Sequence, residues 1–290
     1  MDNYLKNLEY QAIDIIRDTV FNNDVEKIVA FYSIGKDSSV LLHLFKKAFY
    51  PNKIPIKFLH IDTGWKFPEM YEFREKIANE IDLLIFKHPA CLNPYKDGRN
   101  YTDIMKTQAL KMSQEHFGFK IAFGGARRDE EKSRAKERII SIRDKNGYWN
   151  ARKQNPEISP LYNPFYCNDT SLRVFPLSNW TELDIWKYIK EENIEIVPIY
   201  FSHKRKVKIT TQNNKELLLI PQKGEKTEEL NVRFRTLGCY PLTGAVRSNA
   251  KNIDEIIKEL EEVQYSERIT RVIDYDAKGS MEIKKQEGYF

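Results

Sequence analysis

Lys27 to Phe49, reading KIVAFYSIGKDSSVLLHLFKKAF, constrains the fold more than any other stretch. Ile28-Val29-Ala30-Phe31-Tyr32 is a short apolar run, β-branched and aromatic, of strand length. From Val40 the apolar residues recur at Val40, Leu41, Leu44, Phe45 and Ala48, the spacing of a buried helix face. Ser33-Ile34-Gly35-Lys36-Asp37-Ser38-Ser39 joins the two. A small-residue turn from a buried strand into a helix brings backbone N–H groups and the helix dipole onto an anion. Gly35 permits close approach, Ser33, Ser38 and Ser39 add hydroxyls, and Lys36 adds charge. The turn reads as a phosphate cradle, although an ordinary strand-to-helix turn with a serine cap has the same local look. It is not a Walker A loop, because Gly-x-x-x-x-Gly-Lys-Ser/Thr is absent.

The flanking chain repeats the unit. A helix is predicted over Leu5 to Val20, ahead of the first strand. Lys57 to Asp62, Leu83 to Phe86, Lys120 to Phe123 and Arg173 to Leu177 read as further strands, with helices after Pro68 and over Asn100 to Phe117. This alternation predicts an α/β fold: a doubly wound, mainly parallel five-stranded sheet with helices on both faces. Ligands bind at the carboxyl ends of such strands, which gathers Ser33–Ser39, Asp62–Gly64 and Gly124–Arg128 along one edge. Residues 1–200 are predicted as the α/β nucleotide-binding domain, and 201–290 as an irregular extension: a polar, hairpin-like excursion, then a helix and a charged tail.

Composition excludes several classes. A net charge of +5 on 290 residues is mild, so small anions suit this chain at least as well as nucleic acid. No window approaches a membrane span, and Met1 to Lys6 lacks the apolar run of a signal peptide. Cys91, Cys167 and Cys239 are scattered, without a C-x-x-C pair, so a disulfide framework is not expected and a cytoplasmic location is. The histidines lack ligand spacing, and no metal-ligating residue set is predicted. His60 is expected to pack within its strand.

Gly124 to Arg138 is dense in cations after a strand. Planar Arg suits polyanions, and Arg127 and Arg128, beside Gly125, are the leading candidates, with Arg134 behind them. Alternating signs also describe a solvated helix face. Asp62 and Thr63 are placed to meet a ribose or base, or to form a simple Asx turn. Asn179 and Glu182 have capping-box spacing, and Trp180 and Trp186 are expected in the core.

Together these residues resemble a known family. Ser-Ile-Gly-Lys-Asp-Ser-Ser is similar to the loop of the PP-loop ATP pyrophosphatases (adenine nucleotide alpha-hydrolase-like fold), whose broader pattern, Ser-Gly-Gly-x-Asp-Ser, has Gly where Ile34 stands. The Ile variant, followed by Val40-Leu41-Leu42-His43-Leu44, resembles the small subunit of bacterial sulfate adenylyltransferase. The likeness continues through His60–Phe67, Gly124–Arg138, Arg173–Trp186, Arg233–Gly244, Gly279–Glu282 and the Gly-Tyr-Phe end. It fails only over about 208–231, which looks shortened. The related sulfonucleotide reductases rely on a tail cysteine, and this tail has none.

The resemblance implies transfer of the adenylyl group of ATP to sulfate, giving adenylylsulfate and pyrophosphate. It implies Mg²⁺ with the ATP, GTP used only by a larger elongation-factor-like GTPase partner, and no membrane or nucleic acid. Lys36, Asp37, Arg127 and Arg128 are the expected catalytic residues. Ser33, Gly35, Lys36, Asp37, Ser38, Ser39, Asp62, Thr63, Gly125 and Arg134 are expected on the nucleotide. The alternatives are a PP-loop adenylyltransferase with another acceptor, such as a flavin mononucleotide, a nucleic-acid modifier, or a non-catalytic nucleotide-binding subunit.

Overall fold

The computed structural model describes residues 1–158, 164–167, 169–212, 215–263 and 265–272. The tail motifs Gly279–Glu282 and Gly288–Phe290 lie outside them. α1 (Asn3–Phe21) starts where the Asp2 carboxylate accepts from Leu5 N at 2.8 Å. It buries Leu5, Leu8, Ala12, Ile16 and Val20, the predicted face. β1 (Ile28–Phe31) leads through the loop into α2 (Lys36–Phe49), then β2 (Lys57–Asp62), α3 (Pro68–Ala78) and β3 (Leu83–Lys87). α4 (Pro94–Thr102) runs through a π-helical turn at Asp103–Gln108 into α5 (Ala109–Phe117), followed by β4 (Ile121–Phe123). The short α6 (Lys132–Ala135), β5 (Ile140–Arg143), β6 (Ser171–Val174) and α7 (Glu182–Glu191) complete the α/β unit.

The main sheet has the order β3-β2-β1-β4-β6-β5. β1 pairs parallel with both β2 and β4, so the strand order reverses there. Successive side chains of β1 serve opposite faces. Ile28 and Ala30 join the core under α1, α2 and α7, while Val29 packs with Leu59, Phe119 and Ala122 on the other side. The expected five strands are six: β5 adds an antiparallel edge on β6. Its Ile-Ser-Ile-Arg sequence follows the cation-rich segment, where charge hides a short strand. The fifth strand is Ser171–Val174, slightly earlier than predicted.

The extension after Tyr200 is more regular than expected. β7 (His203–Gln212), β8 (Lys215–Leu219), β9 (Glu228–Arg233) and β10 (Val246–Arg247) form an antiparallel sheet of order β10-β9-β7-β8, and α8 (Ile253–Glu262) follows. The sheet buries Val207, Leu217, Leu218 and Val232 but leaves Lys204, Lys206 and Glu228 exposed, and such exposed charges resemble a loop. Val207, Val232, Phe234 and Ile256 belong to the same buried cluster as α1 and α2.

The cap of α7 also differs. Thr181 and Asp184 form the capping box, with Thr181 Oγ1 accepting from Asp184 N at 3.1 Å. Asn179 instead accepts from Arg128, and Glu182 pairs with Arg235. Trp180 and Trp186 are fully buried, as expected. No described helix is long and apolar enough to cross a membrane.

Candidate active site

The loop Ser33–Ser39 lies at the carboxyl end of β1, beside the reversal in strand order. Gly35 is the N-cap of α2, and no side chain caps that helix. Ser38 Oγ donates to Gly35 O at 2.8 Å, and Ser33 Oγ to Ser38 Oγ at 3.2 Å. The Tyr200 hydroxyl accepts from Lys36 N at 2.8 Å. Ile34 holds φ of 69° with its side chain fully buried. A β-branched residue in that region is strained, and glycine is the residue that meets no penalty there. Packing therefore holds Ile34 where the broader loop pattern has Gly.

Behind the loop lies a buried ion-pair network. Arg127, only 1% exposed, donates from Nε to Asp37 Oδ1 at 2.7 Å and from its far nitrogen to Glu267 Oε1. Lys36 Nζ, also 1% exposed, contacts Glu267, Asp37 Oδ2 at 3.2 Å and the carbonyl of Arg235. Burial alone would raise the Asp37 carboxyl, but Lys36 and Arg127 hold it down at about 2. Burial opposes the charge on Lys36 and Arg127, yet Asp37 and Glu267 raise both above their ordinary values. Asp37, Lys36 and Arg127 stay ionised at neutral pH.

A cleft of about 230 Å³ opens above this network. Ser33, Gly35, Asp37, Ser38, Gly125, Glu130, Arg134 and Glu267 line one end. Phe31, Leu59, Ile61 and Leu110 give an apolar wall over the ends of β1 and β2. Thr63, Lys66, Lys106 and Arg271 add a polar, cationic stretch of wall. Gly125 packs so tightly that an added Cβ would stand 3.1 Å from the Asp37 carbonyl carbon.

The structure sorts the expected residues. Ser33, Gly35, Asp37, Ser38, Thr63, Gly125 and Arg134 line the cleft. Lys36 and Arg127 sit behind it, holding the loop's Asp37. Ser39 turns into the core, with its Oγ 3.3 Å from the Tyr32 hydroxyl. Arg128 points away: it pairs with Glu157 at 2.8 Å and donates to Asn179 Oδ1 at 2.7 Å. Asp62 forms the Asx turn, accepting from Gly64 N at 2.8 Å and Tyr71 at 3.0 Å, with Arg74 on its other oxygen. His60 packs, its Nδ1 donating to Tyr32 O at 2.8 Å.

Sequence reading misses Lys66, Lys106, Tyr200, Glu267, Arg268 and Arg271, all on the cleft wall. The His60–Phe67 and Arg233–Gly244 motifs are signals for Lys66 and for the neighbours of Arg271. Glu267 has none. Although no metal ligands are predicted from the sequence, Asp37, Glu130 and Glu267 bring carboxylate oxygens within 4.8 Å of one another. Hard oxygen donors suit Mg²⁺. Lys36, Arg127, Arg134 and Arg268 balance these carboxylates.

Residues 27–245 match the phosphoadenosine phosphosulfate reductase domain family. The chain is 53% identical to sulfate adenylyltransferase subunit 2 of Aliivibrio fischeri strain MJ11, over 99% of this chain and 98% of that protein. This chain belongs to the sulfate adenylyltransferase subunit 2 family. The Vibrio cholerae strain M66-2 member is 52% identical over the same shares. Among solved structures, Candida glabrata FMN adenylyltransferase with FMN and the ATP analogue AMPCPP has the same fold: TM-score 0.51 and 18% identity, covering 74% of this chain and 71% of that one. The same enzyme with ATP gives a TM-score of 0.50 and 16% identity, over 99% of this chain and 88% of that one.

Proposed function

We propose that this chain is the catalytic subunit of a two-subunit sulfate adenylyltransferase, converting ATP and sulfate to adenylylsulfate and pyrophosphate. The observation that carries the reading is the end-to-end identity with subunit 2 proteins. The cleft is consistent with it. A sulfate oxygen attacks the α-phosphorus, forming a new P–O bond. The bond to the β-phosphate bridging oxygen breaks, and pyrophosphate leaves with those electrons. Sulfate is fully ionised at neutral pH, so no proton has to move and no general base is needed. The barrier is anion repulsion plus the developing charge on pyrophosphate, so positioning and fixed dipoles supply the catalysis.

Ser33, Gly35, Ser38 and the N-terminus of α2 would hold the β- and γ-phosphates, with Arg134 beside them. The adenine would lie on Phe31, Leu59, Ile61 and Leu110. Lys36 and Arg127 would act through Asp37, fixing the loop and supplying positive potential from behind it. Mg²⁺ entering with ATP would be held by Asp37, with Glu130 and Glu267 in reach, and would neutralise phosphate charge.

Adenylylsulfate contains a high-energy anhydride, so the forward reaction runs uphill. A partner subunit that hydrolyses GTP is the proposed source of drive. The test is product analysis with the purified pair: adenylylsulfate formed from ATP and sulfate, increasing when GTP is present. Formation of a different adenylylated product, with none from sulfate, would refute the proposal.

A further inference from the structure

The loop end of the cleft is electrically balanced, but the stretch around Lys66 is not. Lys66 is 8% exposed, lines the cleft, and has no ion-pair partner among the described residues. Burying a lysine without an acid is costly unless the site receives an anion. Burial pushes the Lys66 ammonium below its ordinary value; Cys239, the strongest neighbour, and Asp62 oppose that, while Lys106 and Arg271 add to it. Asp62 is already committed to Arg74, Tyr71 and Gly64.

The arrangement is built rather than incidental. Backbone pairing of Lys66 with Cys239, including Tyr240 N donating to Trp65 O at 2.9 Å, fixes the stem of Lys66. Thr63 and Tyr101 hydroxyls hold the Cys239 sulfur at 3.1 Å each. Arg271 is aimed by Thr236 Oγ1 at 3.1 Å. Lys106 approaches the bare face of Gly238.

We infer that Lys66, Lys106 and Arg271 form the subsite for the acceptor sulfate, in the part of the cleft away from the loop. This inference rests on the sulfate adenylyltransferase reading. The three cations only donate hydrogen bonds. Among the described residues no carboxylate pairs with any of them. A fully ionised tetrahedral dianion, which only accepts, matches that set. Phosphate carries a proton at neutral pH, and no carboxylate among the described residues is placed there to accept it. With pyrophosphate leaving toward the loop, an acceptor held away from it is also placed for displacement at the α-phosphorus.

The experiment uses the complete two-subunit enzyme with Lys66→Met, Lys106→Met and Arg271→Gln. Lys106 and Arg271 are partly exposed, so their variants answer the question even where Lys66→Met does not fold. We expect the sulfate KM to rise about ten- to hundredfold, the effect of losing one charged hydrogen bond, with the ATP KM within about twofold of wild type. Equilibrium dialysis of radiolabelled sulfate with the non-cleavable analogue AMPCPP should show the same loss. In the wild type, inorganic phosphate should compete at least about tenfold less well than sulfate, the effect of one unmatched proton. Unchanged sulfate KM in the folded variants, a parallel rise in ATP KM, or equal competition by phosphate would overturn the subsite while leaving the reaction assignment intact. A wild-type complex with no sulfate-dependent activity would overturn both.

Discussion

Arg127 reaches Asp37 from behind the anion loop, Nε to Oδ1 at 2.7 Å, and so ties the strand-to-helix turn after β1 to the segment after β4. Its guanidinium also grips Glu267, and this double contact needs a planar fork. Arg127→Lys keeps the charge but cannot hold both carboxylates. We expect kcat/KM for ATP to fall about ten- to hundredfold, about 1.4 to 2.7 kcal/mol of transition-state stabilisation. Steady-state kinetics on a variant with wild-type circular dichroism tests this. Arg127→Met leaves the buried Glu267 and the part-exposed Asp37 short of a partner and should cost about 3 kcal/mol of stability.

Glu267 offers the same cations a negative group inside the cleft. Glu267→Gln leaves Lys36 and Arg127 with only Asp37 between them. The nucleotide-free variant should lose about 3 kcal/mol. Pyrophosphate should restore much of it, about 2.7 kcal/mol at a hundred times its Kd. Thermal melts with and without pyrophosphate read both effects. A larger pyrophosphate shift in wild type than in the variant would contradict this role for Glu267.

Gly125 is required by contact rather than by conformation. An alanine Cβ would stand 3.1 to 3.3 Å from Asp37 backbone and Cβ atoms. Gly125→Ala should displace Asp37 and cost about 1 to 3 kcal/mol, with a raised ATP KM. Calorimetry and the ATP saturation curve check it.

His60 gives the fold an acid limit. Burial first, then Lys66, lowers its imidazole to about 3, against 6.5 unfolded, while the Tyr32 carbonyl and Asp62 oppose the shift and Arg74 adds to it. Because the folded value is depressed, the unfolded chain takes up the proton first. The contribution is fully present above pH 6.5 and is lost as pH falls from there toward 3. The slope is about 1.4 kcal/mol per pH unit, hence about 2 kcal/mol between pH 7 and pH 5. Unfolding free energies from urea titrations should fall by that amount in wild type and by less in His60→Asn.

β1 and β4 lie inside the parallel sheet and are largely buried, β3 is a part-exposed edge, yet β1 to β4 all carry apolar runs that sequence reading finds easily. β5 is a short run hidden behind a cation-rich segment, and the antiparallel sheet after Tyr200 mixes buried residues with exposed lysines that mimic solvated loop. The anion loop is legible because its glycine, serines and helix start are contiguous. Arg127 stands out in the sequence, but its burial behind Asp37 is not foreseeable from a cation-rich segment. Arg128 and Asp62 are drawn away by Glu157, Asn179, Tyr71 and Arg74, partners that only tertiary packing supplies. Lys66, Lys106 and the Glu267–Arg271 segment are far apart in the chain, and no local pattern joins them.

The central claim is adenylyl transfer to sulfate from ATP held on the Ser33–Ser39 loop. Exchange of labelled pyrophosphate into ATP measures it directly, using the two-subunit complex with and without sulfate. Exchange should require sulfate, and Lys36→Ala should reduce it at least about a hundredfold, about 2.7 kcal/mol, with the complex still assembled. Exchange that proceeds equally without sulfate, or that survives Lys36→Ala, would contradict the account.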